Sequence, residues 1–174
     1  MIELEKTYLA KKLPENLKDC EFKEIIDLYI PKENKHPKLR IRKNGNKFEI
    51  TKKQVIDEND KSQLREETIP ITEQEFYSLV EIKGKKIHKI RYYYNYNNNN
   101  LAEIDIFQGA LKGLVIIDFE FKTSEEKENF KMPDFCLTEI TQEDFIAGGM
   151  LCGKSYEDIE EDLKKHEYKK LFLE

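Results

Sequence analysis

The sequence predicts a mainly β protein of the α+β class: an antiparallel sheet closed into a β-barrel around a polar tunnel, with short helices outside it and a helix at the C-terminus. Two observations carry this. Short runs of alternating apolar and polar residues recur along most of the chain, separated by turn-forming segments. The polar side of that alternation is ionisable in strand after strand, collecting Glu3, Glu5, Arg40, Arg42, Lys53, Arg65, Glu67, Lys89, Arg91, Glu103, Asp105, Asp118 and Glu120. An open antiparallel sheet shows one apolar and one neutral polar face, so this many charges of both signs suit a sheet closed on itself with the charges inside.

The first strand is IELEKTYL at 2–9, which puts Glu3, Glu5 and Thr7 on one face and Ile2, Leu4, Lys6 and Tyr8 on the other. On its own, this strand reads as one with solvated acids. EIIDLYI at 24–30 alternates loosely and ends at Pro31. KLRIRK at 38–43 sets Lys38, Arg40 and Arg42 against Leu39 and Ile41, and Asn44-Gly45 is the strongest hairpin signal of the chain. The returning strand KFEITKKQV carries Glu49, Thr51 and Lys53 on one side, and QLREETIPI at 63–71 carries Arg65 and Glu67.

A helix is expected over 72–83, with Thr72 as N-cap, Glu75 completing a capping box, and Phe76, Leu79, Val80 and Ile82 as its apolar stripe. KKIHKIRYYYNY resumes the strand pattern, with Ile87, Lys89 and Arg91 sharing a face, and the asparagines at 97–100 read as a hairpin tip. LAEIDIFQG aligns Glu103, Asp105 and Phe107; GLVIIDFEFK aligns Ile116, Asp118 and Glu120. A short helix over 124–130 and a short strand CLTEIT carrying Glu139 follow. AGGMLCGKS reads as a loop, and a final helix is expected with Ser155 as N-cap and Ile159 and Leu163 on one face, covering a tunnel end or forming a dimer contact. The strands are expected to follow one another as an antiparallel meander.

Residues 1–174 read as a single domain by size. A net charge of −5, from 30 basic and 35 acidic side chains, lacks the basic excess of a nucleic-acid-binding domain. No apolar run approaches membrane-spanning length, the start MIELEKTYLAKK is unlike a signal peptide, and Cys20, Cys136 and Cys152 have neither metal nor redox spacing. These features point to a cytoplasmic protein with reduced thiols, monomeric or homodimeric. Gly153-Lys154-Ser155 lacks the preceding strand and glycine of a phosphate loop. His36, His88 and His166 read as structural, and Tyr92, Tyr93, Tyr94 and Tyr96 as hairpin packing.

Taken in order, IELEKTYL, LRIRK, EITKK, LREE, HKIRY, EIDIF, GLVIIDFEF and TEIT resemble the CYTH superfamily, the triphosphate tunnel metalloenzymes, over nearly the whole chain. The resemblance implies a closed eight-stranded antiparallel β-barrel and metal-dependent hydrolysis of a triphosphate moiety inside it, with Mg2+ or Mn2+ as cofactor. It implies that Arg40, Arg42, Lys53, Arg65, Lys89 and Arg91 cradle the phosphates, and that Glu3, Glu5, Glu67, Asp118 and Glu120 hold metal. Glu3, Glu5 and Lys53 would then serve catalysis, and Glu103, Asp105 and Glu139 would give further support to the metal. Arginine and lysine suit clustered phosphate charge, and hard carboxylate oxygens suit magnesium. Tripolyphosphate, thiamine triphosphate and nucleoside triphosphates share the moiety to be gripped. One departure bears on turnover: the signature lysine on the face of the two acids is here Thr7. That leaves a non-catalytic polyphosphate- or nucleotide-binding module, and more weakly a scaffold barrel, as other readings. The His-Phe element that accompanies the adenylyl cyclase branch ahead of the signature is not among these residues, so cyclase activity is not expected.

Overall fold

Alternation becomes barrel wall in the computed structural model, which describes residues 2–82, 84–97 and 100–173. The strands are β1 (Ile2–Ala10), β2 (Phe22–Ile30), β3 (Leu39–Asn44), β4 (Lys47–Asp57), β5 (Asp60–Ile71), β6 (Lys85–Tyr96), β7 (Asn100–Phe107), β8 (Val115–Phe121) and β9 (Cys136–Glu139). Their spatial order is β5-β4-β3-β2-β6-β7-β8-β1-β9, and β5 also pairs with β1. Eight strands therefore close into an antiparallel barrel, with β9 lying alongside it.

β1 is the strand on which closure depends. One of its edges pairs with β8 from Leu4 opposite Phe121 to Leu9 opposite Ile116. The other edge is shared: Ile2–Leu4 pair with β5, and Tyr8–Ala10 pair with β9. Because β1 takes the outer edge of β5, the next strand cannot continue there. Helix α1 (Glu73–Leu79) ends this first meander, and β6 then pairs with the free edge of β2. The barrel is thus two meanders, β2–β5 and β6–β8, joined by β1, and not the single meander expected.

Local chemistry explains the element ends. Thr72 and Glu75 form the expected capping box, and α1 stops at Leu79 with Val80 as its C-cap, short of the expected end at 83, which lies outside the described residues. The β3–β4 turn is Gly45-Asn46, one residue later than Asn44-Gly45, since Asn44 still pairs with Lys47; glycine supplies the φ of +58° at the first turn position. The hairpin tip expected at 97–100 includes residues 98 and 99, which lie outside the described residues. Thr123 caps α2 (Ser124–Glu128). Residues 148–151, expected as loop, form the single turn α3 (Gly148–Leu151). A Cβ on Gly148 would stand 2.2 Å from the Tyr29 hydroxyl, so glycine lets this segment lie against the barrel.

The C-terminal helix is shorter than expected. Ser155 N donates to Asp158 Oδ2 at 2.7 Å in a turn, and α4 (Glu160–Lys165) begins only afterwards. Ile159 and Leu163 are 1% and 0% exposed and pack in one cluster with Tyr29, Ile87, Phe107 and Ile116, the apolar interior residues at one end of the barrel. Burial therefore removes both side chains from any contact with a second copy and assigns them to covering the barrel end. A second cluster, including Tyr8, Ile104, Ile117 and Phe119, lies on the outer face of β1, β7 and β8. Among the described residues no helix is long and apolar enough to cross a membrane.

Candidate active site

Inward-facing side chains of the barrel meet in a cavity of about 280 Å³. β1 contributes Glu3, Glu5 and Thr7; β3 contributes Arg40 and Arg42; β4 contributes Lys53. β6 adds Lys89 and Arg91, β7 adds Glu103 and Asp105, and β8 adds Asp118 and Glu120. The alternation read from the sequence thus brings these residues together.

Arg65 and Glu67, expected inside the barrel, do not line the cavity. Both are exposed on the outside of β5, and the residue opposite Lys53 is Glu66. Partners directly opposite in an antiparallel pair share a face, so Glu66 and Leu64 point inward and their neighbours point out. Arg65, Glu66 and Glu67 are consecutive charges, so charge alone could not set the face of this strand; its register with β4 does. Arg65 is accordingly no phosphate ligand, and Glu67 no metal ligand. Glu139 is also outside: it accepts the Tyr8 hydroxyl at 3.2 Å and lies 3.6 Å from Lys6. His36, read as structural, borders the cavity, while His88 contacts Glu24 at 3.1 Å and His166 stacks on Phe145.

Three interior residues escaped the sequence reading: Asp27, Tyr29 and Glu66. For Asp27 a signal existed, a single acid inside the otherwise apolar run IIDLYI. It is 2% exposed and accepts two bonds from Arg42, from Nε at 2.7 Å and from Nη2 at 2.8 Å. Burial alone would raise its carboxyl, but Arg42 and Arg40 outweigh burial and hold it well below the usual carboxylate range.

The remaining cations differ in how firmly they are held. Arg91 donates Nε and Nη2 to Asp105 at 2.7 Å each, reaches Asp118 at 3.3 Å, and also bonds Glu103. Lys89 bonds Asp105 as well. Burial opposes ionisation of Asp105, yet Arg91 and Lys89 bring its carboxyl down to about 2. Lys53 crosses the cavity to Glu3 at 3.0 Å and Glu5 at 2.7 Å; burial works against its ammonium, but Glu5 and Glu3 hold it above its ordinary value. Arg40 is less satisfied. It donates Nη1 to the Tyr29 hydroxyl and Nη2 to Glu66, both at 3.2 Å, while its buried Nε has no hydrogen-bond partner. A buried unpaired donor costs free energy unless something else satisfies it, and a phosphate oxygen has the right chemistry.

Acids gather on β1, β7 and β8. Glu5 stands opposite Glu120, and Asp118 stands opposite both Thr7 and Glu103. Like charges across a ladder repel. Burial, together with Glu103, Glu3 and Glu5 against the pull of Lys53, pushes the Glu120 carboxyl up to about 7. Burial and Glu5 likewise raise Asp118, whose Oδ1 accepts the Thr7 hydroxyl at 2.8 Å. Among the described residues no three acid, histidine or cysteine side chains converge as a ready metal cluster. The donor set is nonetheless made of carboxylates with hard oxygens, and a cationic group, the Lys53 ammonium, already sits between two of them. Glu3, Glu5 and Glu120 thus fit a divalent cation in chemistry, with Asp118 beside them.

No family model matches the chain. The inorganic triphosphatase of Nitrosomonas europaea is 25% identical over 144 residues, spanning 82% of this chain and 91% of its own length. The crystal structure of the inorganic triphosphatase NE1496 superposes with a TM-score of 0.63 at 22% identity, covering 86% of this chain and 93% of that one. HpAC1 from Hippeastrum, whose structure is described with a dominant triphosphatase activity, gives a TM-score of 0.51 at 12% identity over 99% of this chain and 92% of its own. With the barrel order, these likenesses place the fold: the chain has the same closed antiparallel β-barrel as these proteins.

Proposed function

We propose that this protein is a hydrolase that cleaves the terminal phosphoanhydride of a linear triphosphate, with inorganic tripolyphosphate as the first substrate and Mg2+ or Mn2+ as the ion. The observation that carries this is the partition of the cavity wall, cations on β3, β4 and β6 facing acids on β1, β7 and β8, with the Arg40 Nε left without a hydrogen bond, 4.0 Å from Asp27 Oδ1. A triphosphate matches the first wall, and a divalent cation matches the second. The similarity to inorganic triphosphatases over most of the chain supports the same reading.

In this reading Arg40 grips a phosphate oxygen, and Lys53 and Lys89 add compact charge along the phosphates. Arg42, held by Asp27 through Nε and Nη2, and Arg91, held by Asp105, Glu103 and Asp118, shape the wall and set its potential. Glu3, Glu5 and Glu120, with Asp118, hold the ion. When bound, a divalent cation there polarises phosphoryl oxygens and makes a coordinated water a better nucleophile at neutral pH. The Thr7 hydroxyl fixes the orientation of Asp118 where the family signature has a lysine.

A screen of tripolyphosphate, thiamine triphosphate and nucleoside triphosphates against Mg2+ and Mn2+, run on wild type beside Thr7→Lys, tests this. Metal-dependent phosphate release by wild type is expected, strongest on tripolyphosphate. Release only from Thr7→Lys, with tight binding by wild type, would instead assign the chain to non-catalytic polyphosphate binding.

A further inference from the structure

Strands β3, β4 and β6 contribute five cations to the cavity, and four of these are held by groups that leave them little freedom. Arg42 is bidentate to a buried aspartate, Arg91 spreads over three acids, Lys89 bonds the buried Asp105, and Arg40 is fixed between Tyr29 and Glu66. Lys53 differs. Its partners Glu3 and Glu5 keep side-chain exposures of 20% and 16%, alternate on one strand, and belong to the acid wall. Its four-carbon stem can turn without moving the backbone, and Arg40, whose Nε makes no hydrogen bond, lines the same cavity.

We infer that Lys53 is the movable counter-ion of the cavity: it neutralises Glu3 and Glu5 when they hold no metal and turns to the phosphates when a divalent cation takes them. This rests on the proposed function. One carboxylate pair serves either cation, so the lysine and the ion compete. Loss of Lys53 from the acids places a positive charge beside Arg40, so the ion and a polyphosphate bind with positive linkage, and linkage of this kind is reciprocal. Without Lys53, the Glu3–Glu5 pair waits uncompensated for the ion, and the phosphate site gains nothing from its arrival beyond through-space charge.

The test measures Mn2+ binding alone by electron paramagnetic resonance, and binding of a methylene-bridged tripolyphosphate analogue by calorimetry with and without Mn2+. In wild type, Mn2+ is expected to tighten the analogue by about tenfold. Lys53→Met should bind Mn2+ about tenfold more tightly than wild type, with coupling to the analogue reduced below about threefold. Lys61→Met, which removes a charge bordering the same cavity but paired with Asp144, should leave Mn2+ affinity unchanged. Equal tightening by both variants, no tightening by Lys53→Met, or intact coupling without Lys53 would each overturn the inference while leaving the proposed function standing. A wild type that binds neither ligand overturns both. Should Lys53→Met fail to fold, the Lys53 side-chain resonances of wild type decide: they shift on adding Mg2+ if the ammonium is displaced, and unchanged resonances at saturating Mg2+ refute it.

Discussion

Thr7 and Asp118 stand opposite one another on β1 and β8, and the Thr7 hydroxyl donates to Asp118 Oδ1 at 2.8 Å. The backbone N–H of the same threonine donates to Thr141 Oγ1 at 3.1 Å, tying the segment after β9 to the barrel. A lysine at this position would have brought charge; threonine brings orientation. Thr7→Val keeps the shape and removes the hydroxyl, leaving Asp118 one donor short. A loss of about 1 kcal/mol in unfolding free energy is expected, together with a fall of about tenfold in kcat for tripolyphosphate at unchanged KM. Thermal unfolding and steady-state kinetics check the two separately.

Arg40 and Arg42 are neighbours on β3 with different duties, and their variants should separate stability from binding. Arg42→Ala leaves the buried Asp27 without its bidentate partner, and a loss of roughly 3–5 kcal/mol is expected in chemical unfolding. Arg40→Lys keeps a charge but cannot present the Nε to a phosphate. It should weaken tripolyphosphate binding by about tenfold in calorimetry, from the loss of one charge-assisted hydrogen bond, with little change in melting temperature.

The sequence carried the closed mainly β fold because its charges repeat every second residue with apolar partners between them, as in Lys89 and Arg91 or Glu103 and Asp105. Where that contrast failed, so did the face assignment. β5 places charge at 65, 66 and 67, and only the pairing of Lys53 with Glu66 decides which of them is inside. Asp27 was overlooked because its value lies in a partner on another strand, Arg42, which no local pattern names. Strand order was hidden for a related reason: that β1 closes against β5 is a long-range fact, and it alone sends β6 back to β2. The final helix was overread because Ser155 and Asp158 form a capping-type turn that does not continue into α4.

The corrected face of β5 has its own test. Arg65→Ala should leave tripolyphosphate KM unchanged and alter stability by no more than about 0.5 kcal/mol, as for an exposed residue away from special features. Weakened substrate binding in this variant would return Arg65 to the interior.

Acid should unfold the barrel through its interior carboxylates. Asp105 has a folded value of about 2, below its ordinary unfolded value, so its contribution is fully present above about pH 4 and is lost as pH falls through about 2. The magnitude is roughly 2 kcal/mol. Asp27, depressed in the same direction, adds to the loss in the same acid range. Circular dichroism against pH should show stability declining from about pH 4 downward in wild type. Asp105→Asn, already destabilised at neutral pH, should show a shallower decline.

The most direct measurement is phosphate release from tripolyphosphate in Mg2+, comparing wild type with Glu5→Gln at matched folded fraction. Glu5 lies at the centre of the acid wall, bonded to Lys53 and opposite Glu120. Wild type should release phosphate only with the ion present, and Glu5→Gln should be slower by about a hundredfold or more. No release by wild type above the enzyme-free rate, or equal rates for the two proteins, would contradict the assignment of this barrel interior to metal-dependent triphosphate hydrolysis.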